Sequence, residues 1–167
     1  MYTSVQFCVG RCPNTTNNQH HTTYLFMIKH QKLPKNILRL LPKAVDYLEL
    51  HPKVLFAYLF GGLAKGKLQP LSDVDIAVYM AAGSLSLSDL KLDILGKLID
   101  ILQTDEIDLV VLNTAELPLK MNILKTKKVI VNKDPFTRHI FESLTMRQFF
   151  DFSMIESTIL QRRYLNG

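Results

Sequence analysis

The stretch Leu59-Phe-Gly-Gly-Leu-Ala-Lys-Gly-Lys-Leu-Gln-Pro-Leu-Ser-Asp-Val-Asp-Ile-Ala-Val78 constrains this chain more than any other. An apolar run ends in two glycines, a short polar loop follows, and two aspartates flank a valine at the head of a second apolar run. Asp73 and Asp75 are two residues apart, so in an extended strand both point to one face. Val74, Ile76 and Val78 then point to the other face, into a core. Two adjacent carboxylates repel each other unless something positive lies between them. Hard oxygen donors suit a divalent cation such as Mg²⁺. Gly61 and Gly62 let backbone amides approach an anion closely. A cation site beside a phosphate cradle points to chemistry on a nucleotide.

A third carboxylate follows in Glu106-Ile-Asp108-Leu-Val-Val-Leu112, where Asp108 heads another apolar run. An Asp-x-Asp before a strand is common by itself. The glycine pair, the ten residues from 63 to 72, the Asp-x-Asp and the later Asp108 are together far more specific.

The combination resembles the nucleotidyltransferase superfamily of the polymerase-beta type. The resemblance implies a mixed α/β (α+β) fold: a small sheet of three to four strands packed with helices. It implies that Asp73 and Asp75 hold Mg²⁺ and the nucleotide triphosphate. Asp108 completes the ion that activates an acceptor hydroxyl, or takes that hydroxyl's proton. Gly61 and Gly62 would offer backbone N–H groups to phosphates. Many members carry Ser at the second glycine position, and Gly62 departs from that. Lys65 stands near where an Arg is often found, and Lys67 follows. Either lysine reaches a phosphate as a point charge or is a solvated loop residue. Ser72 caps the Asp73 turn or touches phosphate.

Within the superfamily, the size and the C-terminal sequence are most similar to the antitoxin of toxin–antitoxin pairs whose toxin is a HEPN-domain RNase. The shared features include Lys127-Lys-Val-Ile-Val131 with Asn-Lys-Asp-Pro after it, Arg138, Phe150-Asp151-Phe152 and Arg163-Tyr-Leu165. Such antitoxins transfer AMP from ATP to a tyrosine of the toxin. The resemblance implies that activity here, with ATP as substrate and a hetero-oligomer with a HEPN toxin as the assembly. Two other readings remain open. One is an antitoxin that neutralises by binding alone, to which Gly62 lends the only support. The other is a small-molecule transferase of the aminoglycoside type, which the basic C-terminal third disfavours. A nucleic-acid-binding module would explain the charge but not the three carboxylates, so no direct nucleic-acid contact is expected.

Charge supports this division. Residues 61–110 carry four Lys and eight acids, whereas residues 111–167 carry nine Lys or Arg and five acids, within a net charge of +5. An acidic middle suits a cation site, and a basic flank attracts phosphates or an acidic partner. No apolar run is long enough to span a bilayer. The two cysteines, Cys8 and Cys12, lie at the N-terminus and make weak metal or disulfide candidates; the lack of others fits a reducing cytoplasm. Asn14–Thr23 is polar and aperiodic, so residues 1–26 are expected to be a disordered or non-native extension. Residues 27–167 are expected to form one minimal domain, with the native start at Met27.

The pattern predicts helices over 35–50, from Ser86 or Ser88 to about Gln103, from Asn113 or Thr114 to about Leu124, and from Asp134-Pro135 onward. Pro42 should kink the first helix or begin a new one. Strands are predicted at Val54–Phe60, Asp73–Met80, Ile107–Leu112 and Lys127–Val131. The last helix carries Phe136, Phe141, Phe149, Phe150, Phe152 and Tyr164, more than one side can bury. It is therefore expected to leave aromatic surface, with Arg162 and Arg163, for association.

Overall fold

The computed structural model describes residues 34, 36–66, 73–81, 83 and 86–164. The expectations for residues 1–26, the start at Met27, Lys67 and Ser72 lie outside the described residues. The elements run α1 (Ile37–Leu50), β1 (Val54–Phe60), α2 (Gly61–Ala64), β2 (Val74–Met80), α3 (Leu87–Leu102), β3 (Ile107–Val111), α4 (Leu117–Thr126), β4 (Lys128–Asn132) and α5 (Pro135–Tyr164). The four strands form one mixed sheet in the order β3-β2-β1-β4. β1 is antiparallel to both β2 and β4, and β2 is parallel to β3, reached through the α3 crossover. No described helix is long and apolar enough to cross a membrane.

Strand parity sorts the sheet into two faces. Val74, Ile76, Val78 and Met80 of β2 join Leu59, Leu109 and Val111 in a core closed by Ala44 and Leu48 of α1 and by Ile94, Leu98 and Leu102 of α3. Phe56, Tyr58, Phe60 and Ala77 occupy the opposite face with Ile123 of α4 and Phe141 of α5. Phe141 packs against Phe56 and Tyr79 with ring centroids 5.6 and 5.3 Å apart. A register shift where β1 meets β4 pairs Ala57 with Val131 but Tyr58 with Val129. The extra residue explains how consecutive Ile130 and Val131 both pack on the α1/α3 side.

Local chemistry sets the helix ends. Ser86 Oγ accepts from Ser88 N–H at 3.2 Å and starts α3. Asp134 plays the same part for α5, accepting from Thr137 N–H at 3.0 Å and from the Thr137 hydroxyl at 2.6 Å. Two expectations need correction. Of the two alternatives for Pro42, the new helix is excluded, because the residue lies exposed inside one continuous α1. Neither Asn113 nor Thr114 caps α4, which starts after Glu116 with Pro118 in its first turn. Asn113 instead clamps the end of β2: its Nδ2 donates to Met80 O at 2.8 Å, and its Oδ1 accepts from Met80 N–H at 2.9 Å.

One carboxylate ties α5 to the sheet. Glu142 Oε1 accepts from the Tyr58 hydroxyl at 2.7 Å, from Lys127 Nζ at 2.6 Å and from Arg138 Nη1 at 2.9 Å. Lys127 also lies over the Tyr58 ring, 5.1 Å from its centroid. Burial pushes the Glu142 carboxyl up, but the hydrogen bonds from Lys127 and Tyr58 outweigh it and hold it below the usual carboxylate range. Burial and the Glu142 contact push the Tyr58 phenol well above its usual value. α5 is 30 residues long, about 45 Å at the α-helical rise. Only its first half packs on the domain. Phe149 is half-buried near Lys125, whereas Phe136, Phe150 and Phe152 are 75%, 59% and 44% exposed. The expected aromatic surface is therefore present; the Tyr164 side chain lies outside the described residues.

Glu142→Ala strands three donors and should cost about 2–4 kcal/mol, against about 1 kcal/mol for Tyr58→Phe, both read by denaturant unfolding. Because the Glu142 carboxyl is depressed in the fold, its contribution is present above its unfolded value of about 4.3 and disappears as pH falls through the lower folded value. Wild-type stability should therefore fall more steeply than that of Glu142→Gln on acidification below about pH 5. Parallel slopes would mean that Glu142 does not anchor the helix.

Candidate functional site

The site grows from one end of the sheet. β1 ends at Phe60, opposite Asp75. The chain then turns at Gly61, with φ +69°, into the single-turn helix α2. Left-handed backbone suits glycine, and here the space demands it too. A Cβ on Gly61 would overlap Asp75 Oδ2 and lie 2.7 Å from Asp75 Cγ. The first glycine thus serves to seat the Asp75 carboxylate against the turn. Gly62 lies inside α2 and is not among the described glycines with positive φ, which are Gly61 and Gly66. The two glycines therefore have different reasons to be there. Lys65 closes α2 and is exposed.

On the other side of β2, Asp75 is the direct partner of Asp108 on parallel β3. Paired residues of neighbouring strands share a face. Asp73 precedes the strand by one residue and by parity shares the face of Asp75; its Oδ1 is fully buried. The second residues of β2 and β3 and the end of β1 thus bring Gly61, Asp73, Asp75 and Asp108 to one end and one face. Phe60 and Tyr58 continue that face along β1, so the Glu142 network lies two residues farther along the same strand. Asp108 is exposed, Asp75 partly so.

An all-oxygen donor set of three carboxylates, one seated against a glycine turn, fits a hard divalent cation in chemical kind. Among the described residues, no three His, Cys, Asp or Glu side chains are drawn into a cluster ready to hold an ion. What the backbone sets is the shared face and end; closing the donors around a cation is left to the side chains.

A mixed four-stranded sheet with this carboxylate and glycine arrangement defines a nucleotidyltransferase-type domain. The family model described as polymerase beta, nucleotidyltransferase, matches residues 42–136, more than half of the 167, and the chain belongs to that family. Among solved structures, a chain of a toxin–antitoxin complex with AMP-PNP is 24% identical, with a TM-score of 0.60 over 72% of this chain and 95% of that one. A chain of the toxin–antitoxin MntA–HepT is 25% identical, with a TM-score of 0.55 over 74% and 96%. A third, from the tri-AMPylated Shewanella oneidensis HEPN toxin in complex with MNT antitoxin, is 23% identical, with a TM-score of 0.54 over 75% and 93%. No curated protein matches.

Two features lay outside the sequence expectations. A cleft of about 400 Å³ opens beside Asp108, lined by β3, α3, the loop before α4 and the first turn of α4. The Tyr58–Glu142–Lys127–Arg138 network spans 84 residues between Tyr58 and Glu142. Strand patterning treats Tyr58 as one more apolar residue, and no local spacing pairs it with Glu142.

Gly61→Ala imposes both left-handed strain and overlap with Asp75, so it should destabilise by about 1–3 kcal/mol. Gly62→Ala should cost under about 1 kcal/mol or stabilise slightly, since helical alanine is preferred. Thermal unfolding of the two variants distinguishes them. Equal effects would show that Asp75 is not held by the turn.

Proposed function

We propose that this protein is an adenylyltransferase antitoxin that moves AMP from ATP to a tyrosine hydroxyl of a partner HEPN RNase toxin. The observation that carries the reading is the pairing of Asp75 with Asp108 beside the Gly61 turn. Three carboxylates brought to one end of a sheet match the chemistry of the family. The toxin–antitoxin complexes among the structural neighbours support a protein as acceptor.

In this reading Asp73 and Asp75 bind Mg²⁺ and orient the triphosphate, and Asp108 completes the site. Mg²⁺ held there would offset phosphate charge and favour ionisation of the attacking hydroxyl. Gly61 and Gly62 offer backbone N–H groups to the phosphates, helped by Lys65 and Ser72. The tyrosine oxygen forms a bond to the α-phosphorus as the bond to the bridging oxygen breaks. Pyrophosphate leaves with that electron pair, and the phenolic proton passes to Asp108 or to water. Asp108 is suited to this because it is exposed, whereas Asp75 is packed on the turn.

The protein is incubated with ATP, Mg²⁺ and a HEPN toxin encoded in the same genome, and the toxin is weighed by mass spectrometry. One or more added AMP units are expected. Asp75→Ala and Asp108→Ala should each lower the transfer rate about a hundredfold or more without unfolding the chain. Neutralised toxin with no added mass would establish neutralisation by binding alone. Gly62→Ser adds a neutral donor at the phosphates and should tighten ATP binding about threefold to tenfold, measured by calorimetry.

A further inference from the structure

Among the described residues β3 ends the sheet, pairing with β2 on one side only. Two bonds set its polarity: Val74 N–H donates to Glu106 O at 3.0 Å, and Leu112 N–H donates to Val78 O at 2.9 Å. In a parallel ladder the bonding alternates along the strand. Even-numbered residues of β3 therefore bond toward β2, and the main-chain groups of Ile107, Leu109 and Val111 point outward. Some of these are used locally, Ile107 N–H by Asp105 O and Val111 O by Thr114 and Ala115 N–H. Among the described residues Ile107 O, Leu109 N–H, Leu109 O and Val111 N–H point away from β2 across the edge, at the floor of a groove deep enough that Leu109 and Val111 are only 2% and 8% exposed.

The cleft of about 400 Å³ runs along this edge. Residues 108–111 form its floor, Ser88 and Lys91 of α3 one wall, and Thr114 and Leu119 the other. Its volume lies in the range of ligand clefts, ~300–1,000 Å³. Asp108 belongs both to this cleft and to the pair with Asp75. The sheet order then runs Gly61 turn, Asp75, Asp108, cleft. A nucleotide on the glycine side leaves the cleft side for the acceptor, as displacement with the leaving group opposite the nucleophile requires.

We propose that the acceptor protein enters this cleft as an extended segment added to the outer edge of β3, with its hydroxyl-bearing residue beside Asp108. The proposal rests on the adenylyltransfer reading above. Strand addition supplies affinity through main-chain bonds and specificity through alternate side chains. A strand placed the usual ~4.8 Å beyond β3 brings every second side chain onto the face of Asp75 and Asp108. The residue opposite Asp108 thus has its side chain at the carboxylates. Ser88, Lys91 and Thr114 supply polar partners for the segment's flanks.

The test uses the full chain with the HEPN toxin that the wild type modifies. Ser88→Trp and Thr114→Trp are substitutions at exposed positions that fill the cleft from opposite walls. Both should retain wild-type melting and ATP affinity within about twofold, while transfer to the toxin falls about tenfold or more. In parallel, hydrogen exchange at Leu109 and Val111 amides should slow when toxin is added to the wild type. Wild-type transfer rates in both tryptophan variants would overturn the cleft as acceptor site while leaving adenylyltransfer intact. Lost transfer with unchanged exchange at Leu109 and Val111 would overturn strand addition. If the wild type adds no AMP to the toxin, both this proposal and the reading beneath it fail.

Discussion

The structure depends on the parity of β2. Val74, Ile76, Val78 and Met80 are fully buried against α1 and α3. Each such side chain removes roughly 1.5–3 kcal/mol of apolar surface from water, so together they pin the strand's orientation. Asp73 and Asp75 have no choice but the other face. A one-residue slip would bury both carboxylates in an apolar core and expose the aliphatics. The core thus orients the acidic pair, and the chemistry is obtained from the same alternation that folds the chain. Gly61 adds the second constraint, because only a residue without Cβ lets the turn after β1 close on Asp75.

The opposite face solves a different problem. It must carry charge at one end and still close against α4 and α5. It does so with aromatics whose edges and faces meet cations: Lys120 near Phe141, Lys125 near Phe149 and Lys127 near Tyr58, at 5.9, 5.4 and 5.1 Å. Glu142 gathers Tyr58, Lys127 and Arg138 on a single oxygen and so fixes the first half of α5. Beyond Phe149 the helix leaves the domain with Phe150, Met154, Ile155 and Ile159 exposed. Apolar surface on that scale is the kind that interfaces commonly use, and it lies on an element distinct from the strands that carry the carboxylates.

Much of this was legible in the sequence because the signals were local. β1 follows the apolar run 54–60 to the residue, and α3 begins at the serine that can cap it. The glycine pair and the Asp-x-Asp announce a turn and a shared face, and Asp108 could be placed because it heads an apolar run as Asp75 does. What was hidden depended on neighbours distant in sequence. Asn113 looks like a helix cap but has better partners in both main-chain groups of Met80. Pro42 looks like a break, yet its exposed ring costs one helical bond that the packing of Ala44 and Leu48 outweighs. The carboxylates' common end required the parallel register of β2 and β3, which no spacing within either strand reveals.

The same register bears on how one small sheet would serve the two substrates of the proposed transfer. A divided site needs the nucleotide and the acceptor to approach from opposite sides of the reacting phosphorus. An open sheet provides two sides only if the strand bearing the central carboxylates is internal and one neighbour is terminal. Here β2 is internal, β1 on one side delivers a glycine turn, and β3 on the other delivers Asp108 and then an edge. Had β4 been added beside β3 instead of beside β1, that edge would be occupied by the chain itself. The antiparallel return of β4 to β1 is therefore what leaves the outer side of β3 unpaired among the described residues, and under the proposed strand addition an edge that is usually a liability would receive the acceptor.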